Sequence, residues 1–217
     1  SKMYASQRIH RCPTADHPRS KNGAFFWDGE RGWCFRWDAE ARVQWWNDPN
    51  ARPWTDAVKE QWRRQRDSAR SAQQRGYAEA AQRAQELLDT ANPDVHDYLH
   101  LKGFPDLRVP VLQDGALVVP MRNVVTNRLQ GLQVIRWAAD ARKWVTKMTY
   151  GMQARNAVFR MGPPKGQESI LCEGYATGLS LEAAARQLRL HAAVVVCFSA
   201  GNIKPVSDQI QGRKYVY

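Results

Sequence analysis

Residues 168 to 202, ESILCEGYATGLSLEAAARQLRLHAAVVVCFSAGN, restrict the possible folds more than any other stretch of the chain. Ile170-Leu171-Cys172 is a short apolar run that stops at Glu173-Gly174, and Val194 to Phe198 is a second, continuous one. Between them Leu179, Leu181, Ala183 to Ala185 and Leu188 suit a helix packed on a sheet. A strand that is apolar at every position has both faces buried, and two such strands joined through a helix lie parallel. The stretch therefore predicts a parallel α/β unit. Glu173 falls at the carboxyl end of its first strand, where open α/β sheets hold their ligands.

The charge balance says what kind of ligand to expect. Lys and Arg number 32 against 21 Asp and Glu, a net +11, which favours a polyanionic partner, nucleic acid before an anionic membrane. No apolar run approaches the ~18 residues of a membrane span, and the N-terminus lacks the apolar core of a signal peptide. Two of the four cysteines, Cys172 and Cys197, sit in expected buried strands, which suits reduced thiols in a cytoplasmic protein. His10, Cys12, His17 and Cys34 are the residue types that bind zinc. They lack the paired Cys-x2-Cys spacing of a zinc knuckle, so ordinary loop roles are expected and zinc is not. Neither a P-loop nor a dinucleotide fingerprint is present, which argues against ATP hydrolysis.

The series apolar strand, Glu173-Gly174, Tyr175-Ala176-Thr177, helix, second apolar strand, Ala200-Gly201-Asn202 resembles the start of a Toprim domain, and within that superfamily the primases of plasmids and phages. Upstream the likeness continues through Tyr98-Leu99-x-x-Lys102-Gly103, Leu117-Val118-Val119-Pro120 and Leu132-Gln133-Val134-Ile135. Lys143 to Gly151 then stands where such primases carry a basic segment. The resemblance covers roughly residues 96 to 217, and the ordered series is more specific than any one of its parts.

The resemblance implies template-directed primer synthesis, in which a 3′-hydroxyl attacks an α-phosphate and Mg2+ or Mn2+ offsets the charge. Toprim enzymes supply a glutamate after the first strand and an Asp-x-Asp pair after a later one. Glu173 matches the former, as catalytic acid/base or metal ligand. Arg213 to Tyr217 reads as the start of a third strand, so the Asp-x-Asp is expected just beyond Tyr217, in a longer primase of which this piece is inactive alone. Arg136, Arg142, Lys143, Lys147 and Arg155 are the implied nucleotide- and template-binding residues. The implied partners are single-stranded DNA, ribonucleoside triphosphates and a replicative helicase. The alternative is a single-stranded nucleic-acid-binding module whose Toprim half is structural or degenerate.

The N-terminal half is read from its own residues. Residues 1 to 22 are polar and turn-rich and are expected to form loops or a basic arm. Ala24 to Trp27, Gly32 to Trp37 and Arg42 to Trp46 read as strands of a small antiparallel sheet, with turns at Asp28-Gly29 and Asp38 to Ala41. Seven of the nine tryptophans (27, 33, 37, 45, 46, 54 and 62) fall in the first 62 residues. Most are expected to build the core that so small a sheet needs. Trp33 and Trp37, beside Arg31, Arg36 and Arg42, are the candidates for stacking on unpaired bases.

Thr55 caps an expected helix that ends at Asn92-Pro93, with Gly76 as a possible bend or break. Arg63, Arg64, Arg66 and Arg70 crowd its polar faces, either as intrahelical ion pairs or as phosphate contacts. Asp94 to Leu99 reads as a short helix. Leu117 to Met121, Leu129 to Trp137 and Lys143 to Thr149 read as strands, and Pro163-Pro164-Lys165-Gly166 as a linker. The expected fold class is α+β. It comprises a Trp-rich β module (1–54), a long basic helix (55–92), a basic primase-like α+β subdomain (93–166) and a partial Toprim α/β unit (167–217).

Overall fold

The tryptophan-rich strands pair into a sheet of their own, and every strand after residue 90 joins a second one. The computed structural model describes residues 6–36, 42–50, 53, 55–163 and 168–217. The chain divides into two units, Ser1–Gln65 and Arg66–Tyr217. Trp37, Trp54, the Asp38 to Ala41 turn and residues 164–167 of the expected linker lie outside the described residues.

In the first unit β1 (Ser6–Cys12), β2 (Gly23–Trp27), β3 (Arg31–Arg36) and β4 (Gln44–Asn47) form an antiparallel meander in that order. Strand β1 corrects the expectation of loops before residue 22. Arg11 pairs with Ala24 and Cys12 with Gly23 through the backbone ladder. An edge strand held by main-chain bonds needs no apolar alternation, so nothing in its hydropathy announces it. The Asp28-Gly29 turn forms as its residues dictate. Asp28 Oδ1 accepts from the amides of Glu30 and Arg31, and Gly29 takes φ +111°. Gly32 is required by close packing, because a β-carbon there would collide with the Phe26 carbonyl and the Trp27 ring.

Helix α1 (Asp56–Asp89) is capped as expected, Thr55 Oγ1 accepting from the Val58 amide at 3.3 Å. It runs unbroken through Gly76, and its buried residues are Ala80 and Ala84. Strand β5 (Asn92–Asp94) follows, so the short helix expected from Asp94 starts later, as α2 (Asp97–Leu101). His96 causes the delay: its extended backbone and its Nδ1, which accepts from the Tyr98 amide, form the cap.

Strands β6 (Val109–Val111), β7 (Leu117–Asn123), β8 (Leu129–Ala138), β9 (Lys143–Met148) and β10 (Ala157–Met161) come next. They lead into β11 (Glu168–Cys172), α3 (Tyr175–Gln187), β12 (Ala192–Val196), α4 (Ala200–Ser207) and β13 (Arg213–Val216). One nine-stranded mixed sheet takes them all, in the order β13-β11-β12-β10-β7-β6-β5, with β8 and β9 on the other edge of β7. The protein is thus mixed α+β. β11 is parallel to both β12 and β13, and β10 joins this parallel part to the antiparallel part by pairing with β12 and β7.

Alternation along the strands explains where the helices sit. Cys172, Val194 and Val196 pack with Tyr175 and Leu179 of α3, whereas Leu171, Val195 and Cys197 pack with Val206 of α4. The two helices therefore cover opposite faces of one parallel layer. A third cluster, Leu112, Val118 and Leu132, closes against Ala84 of α1. Gly178 brings α3 onto the sheet, since a β-carbon there would meet Val196 and Met161. Among the described residues no helix is long and apolar enough to cross a membrane.

Candidate functional site

Strand β11 is the middle of the parallel trio, and its two neighbours are reached in opposite directions. α3 carries the chain to β12 on one side, and α4 carries it back past β11 to β13 on the other. A sheet wound this way opens a crevice beyond the carboxyl end of the central strand, because the connections there diverge. Glu173 is the first residue past that end. It is exposed, and its carboxylate makes no hydrogen bond or ion pair with another described residue. Gly174, extended at φ −99°, is the N-cap of α3 and gives no side-chain cap to the helix amides.

Burial pushes the Cys172 thiol up to about 11 and the Tyr175 phenol up to about 12, so both stay protonated at neutral pH. Cys197, at the end of β12, is pushed up to about 12, first by burial and then by Cys172. None of the three supplies a thiolate or phenolate at neutral pH. Phe198 follows Cys197 with φ +64°, a left-handed backbone that is strained for a bulky residue and costs about 1–3 kcal/mol. Its amide donates to the Glu173 carbonyl at 2.9 Å, which fixes the glutamate's backbone to the end of β12.

Asn202 extends that connection to the rest of the sheet. Its Nδ2 donates to the carbonyls of Ala157 and Cys197, both at 2.9 Å, and its Oδ1 accepts from the Asn156 amide at 2.8 Å. The Asn156 carbonyl in turn accepts from the Val124 amide at 2.9 Å. The loop after β7, the start of β10, the end of β12 and the first turn of α4 are therefore tied together at the end of the sheet that carries Glu173. The sequence motif contains Asn202 but does not disclose this role.

The topology sorts the basic residues by end. Residues 122–160 contain eight Lys and Arg and one acid, Asp140. Arg155 lies just before β10, at Glu173's end. Arg122 at the end of β7 and Arg128 before β8 are at the same end, and sequence reasoning overlooked both. Lys147 pairs with Val134 halfway along β8. Arg136, Arg142 and Lys143 are at the opposite end, around the β8–β9 turn, and Arg136 is paired with Asp114 at 2.6 Å.

The helix arginines divide too. Arg63 and Arg64 pair with Glu60 at 2.6 and 3.1 Å and Arg66 approaches Asp67 at 3.8 Å, whereas Arg70 makes no ion pair among the described residues. In the small sheet Trp33 is half-buried on the face where Phe26 meets Trp62 of α1 edge-on at 5.8 Å. Among the described residues of this sheet the exposed rings are Trp45 and Trp46 on β4, 72% and 51% accessible.

Among the described residues no three His, Cys, Asp or Glu side chains form a group that could hold a metal ion. Glu173 is one exposed carboxylate, and Mg2+ is commonly held by one or two carboxylates together with waters and substrate phosphates. Compared with protein-family models, curated proteins and solved structures, the chain matches none.

Proposed function

We propose that this chain belongs to a Toprim-type DNA primase of the plasmid or phage kind and carries its template-binding surface and the first half of its catalytic centre. The observation that carries the reading is the position of Glu173. It lies past the central strand of a parallel trio, at the winding reversal, with Arg122, Arg128 and Arg155 brought to the same end from elements far away in sequence. Positive side chains there offset triphosphate and template charge. Glu173, unpaired among the described residues, is placed to take or give a proton at the reacting hydroxyl or to contribute one oxygen to a cation. On this reading the remaining carboxylates come from an Asp-x-Asp after β13. The Tyr217 amide donates to the Leu171 carbonyl at 2.9 Å, so residues continuing β13 would run beside Glu173.

The test is primer synthesis by protein expressed from the uninterrupted reading frame, on single-stranded DNA with four ribonucleotides and magnesium, beside Glu173→Gln. The expected result is primers from the wild type and a loss of at least about 100-fold in the variant. Arg155→Gln should weaken nucleotide use more than Arg142→Gln, which sits at the far end. Absence of primers, with salt-dependent binding of the same template retained, replaces this reading by the second one, a single-stranded nucleic-acid-binding module. The lack of a three-ligand metal cluster among the described residues is what favours that second reading.

A further inference from the structure

Trp62 of α1 packs against one face of the small sheet, although Trp45 on that face is itself 72% accessible. Strand alternation puts Phe26, Trp33 and Trp45 in one cross-strand row, on the side that Trp62 of α1 packs against. The other side carries Phe25, Trp27 and Trp46. Trp27 and Trp46 meet at 4.7 Å with planes tilted by 50°, across Gly32, whose missing side chain lets the Trp27 ring lie over β3. Phe25 stacks on His10 at 5.2 Å and 22°. Phe25 and Trp27 are two residues apart on one strand, so their rings leave the same face about 7 Å apart. Phe25, Trp27 and Trp46 of this face, together with Phe26, Trp33 and Trp45 of the other, line a concavity of about 520 Å³, and a second, of about 580 Å³, adjoins it at Cys34, Gln44 and Trp45. Arg36, which also pairs with Asp16, and Arg42 line the second, and among the described residues neither concavity is lined by a carboxylate.

We infer that the face carrying Phe25, Trp27 and Trp46 is a docking surface for single-stranded DNA. Unpaired bases present flat π-faces that stack on Trp46, Trp27 and Phe25 whatever their identity, and the backbone phosphates meet Arg36 and Arg42. A duplex hides its base faces and does not fit an aromatic platform of this kind. The choice of DNA as the strand rests on the primase reading; the stacking geometry does not.

The experiment is a titration of the full chain with a short oligothymidylate, followed by tryptophan fluorescence and by anisotropy of a labelled strand at two salt concentrations. Trp46→Ala, Trp46→Phe, Arg42→Gln and Gly76→Ala are compared. Expected are quenching on binding, affinity about tenfold lower in Trp46→Ala, a smaller loss in Trp46→Phe, and a shallower salt dependence in Arg42→Gln. Gly76→Ala, in open space on α1, should bind like the wild type. If Trp46→Ala does not fold, the Phe and Arg42 variants decide alone, since both leave an exposed position filled.

Unchanged affinity in the Trp46 variants, equal binding of a duplex, or tighter binding of the corresponding RNA overturns the proposal. So does self-association of the chain that Trp46→Ala abolishes while strand binding persists. Primers made normally by a Trp46→Ala protein whose strand affinity is unchanged would sink this inference and spare the primase reading. Strand binding lost with Trp46 in a protein that makes no primers would do the reverse.

Discussion

Replacing Asn202 by alanine tests whether the end of the sheet that holds Glu173 is assembled as described. The side chain is buried and makes three hydrogen bonds, to Ala157, Cys197 and Asn156. Truncation leaves the Asn156 amide without its acceptor, a desolvation penalty of about 1–3 kcal/mol, and weakens two buried carbonyls. A total of about 3 kcal/mol follows. For a unit of this size each kcal/mol moves the midpoint by about 2–4 °C, so the melting temperature should fall by about 6–12 °C.

Thermal and urea unfolding measure the loss, and hydrogen exchange at the Asn156 amide locates it. Asn202→Asp sharpens the result. At neutral pH it keeps the acceptor but loses both donors and sets a charge against two carbonyls, so it should cost at least as much as alanine. Protonation returns one donor, so the deficit should shrink as pH falls towards about 4, the unfolded carboxyl's range, and level off below it. A loss under about 1 kcal/mol in Asn202→Ala, or an Asn156 amide that exchanges no faster, would refute the pin.

Two further predictions concern the same unit. Gly178→Ala forces a β-carbon into Val196 and Met161 and should destabilise by about 1–3 kcal/mol, whereas Gly76→Ala, in open space on α1, should stabilise by up to about 1 kcal/mol. Opposite signs in paired denaturation curves are the check. Cys172 and Cys197 ionise at about 11 and about 12 in the fold against 9.0 otherwise. The folded state then holds protons that the unfolded chain has released, so stability is intact below pH 9 and falls as pH rises through 9 to 12. Urea midpoints across that range should decline, and Cys197→Ala should flatten the decline.

The parallel unit was legible because its strands are buried on both faces. Ile170 to Cys172 and Val194 to Val196 have to be apolar at every position, and such runs leave few alternatives. The long helix was legible from its Thr55 cap. Strands β1, β5, β6 and β10 were not. β1 and β5 are edge strands, exposed along most of their length, and β6 has three residues. Main-chain pairing holds such segments, and it is indifferent to side-chain pattern. β10 is apolar at three of its first three positions but short, and its significance as the strand linking the parallel and antiparallel parts is a property of pairing alone.

The candidate site divides in the same way. Glu173 could be placed from sequence because its position follows from a local strand-to-helix junction. The density of positive charge between residues 122 and 160 was equally visible, but density does not say which charges converge. That depends on strand direction. β7 and β12 end where β10 begins, so Arg122 and Arg155 arrive at the same end of the sheet as Glu173, while the β8–β9 turn takes Arg142 and Lys143 to the other end. A residue's distance from Glu173 along the chain is therefore a poor guide. Arg122, 51 positions upstream, shares its end of the sheet, and Lys143, 30 positions upstream, does not. If phosphate recognition is the purpose of the charge, its two ends serve different stretches of one strand, and neutralising them should have separable effects on chemistry and on grip.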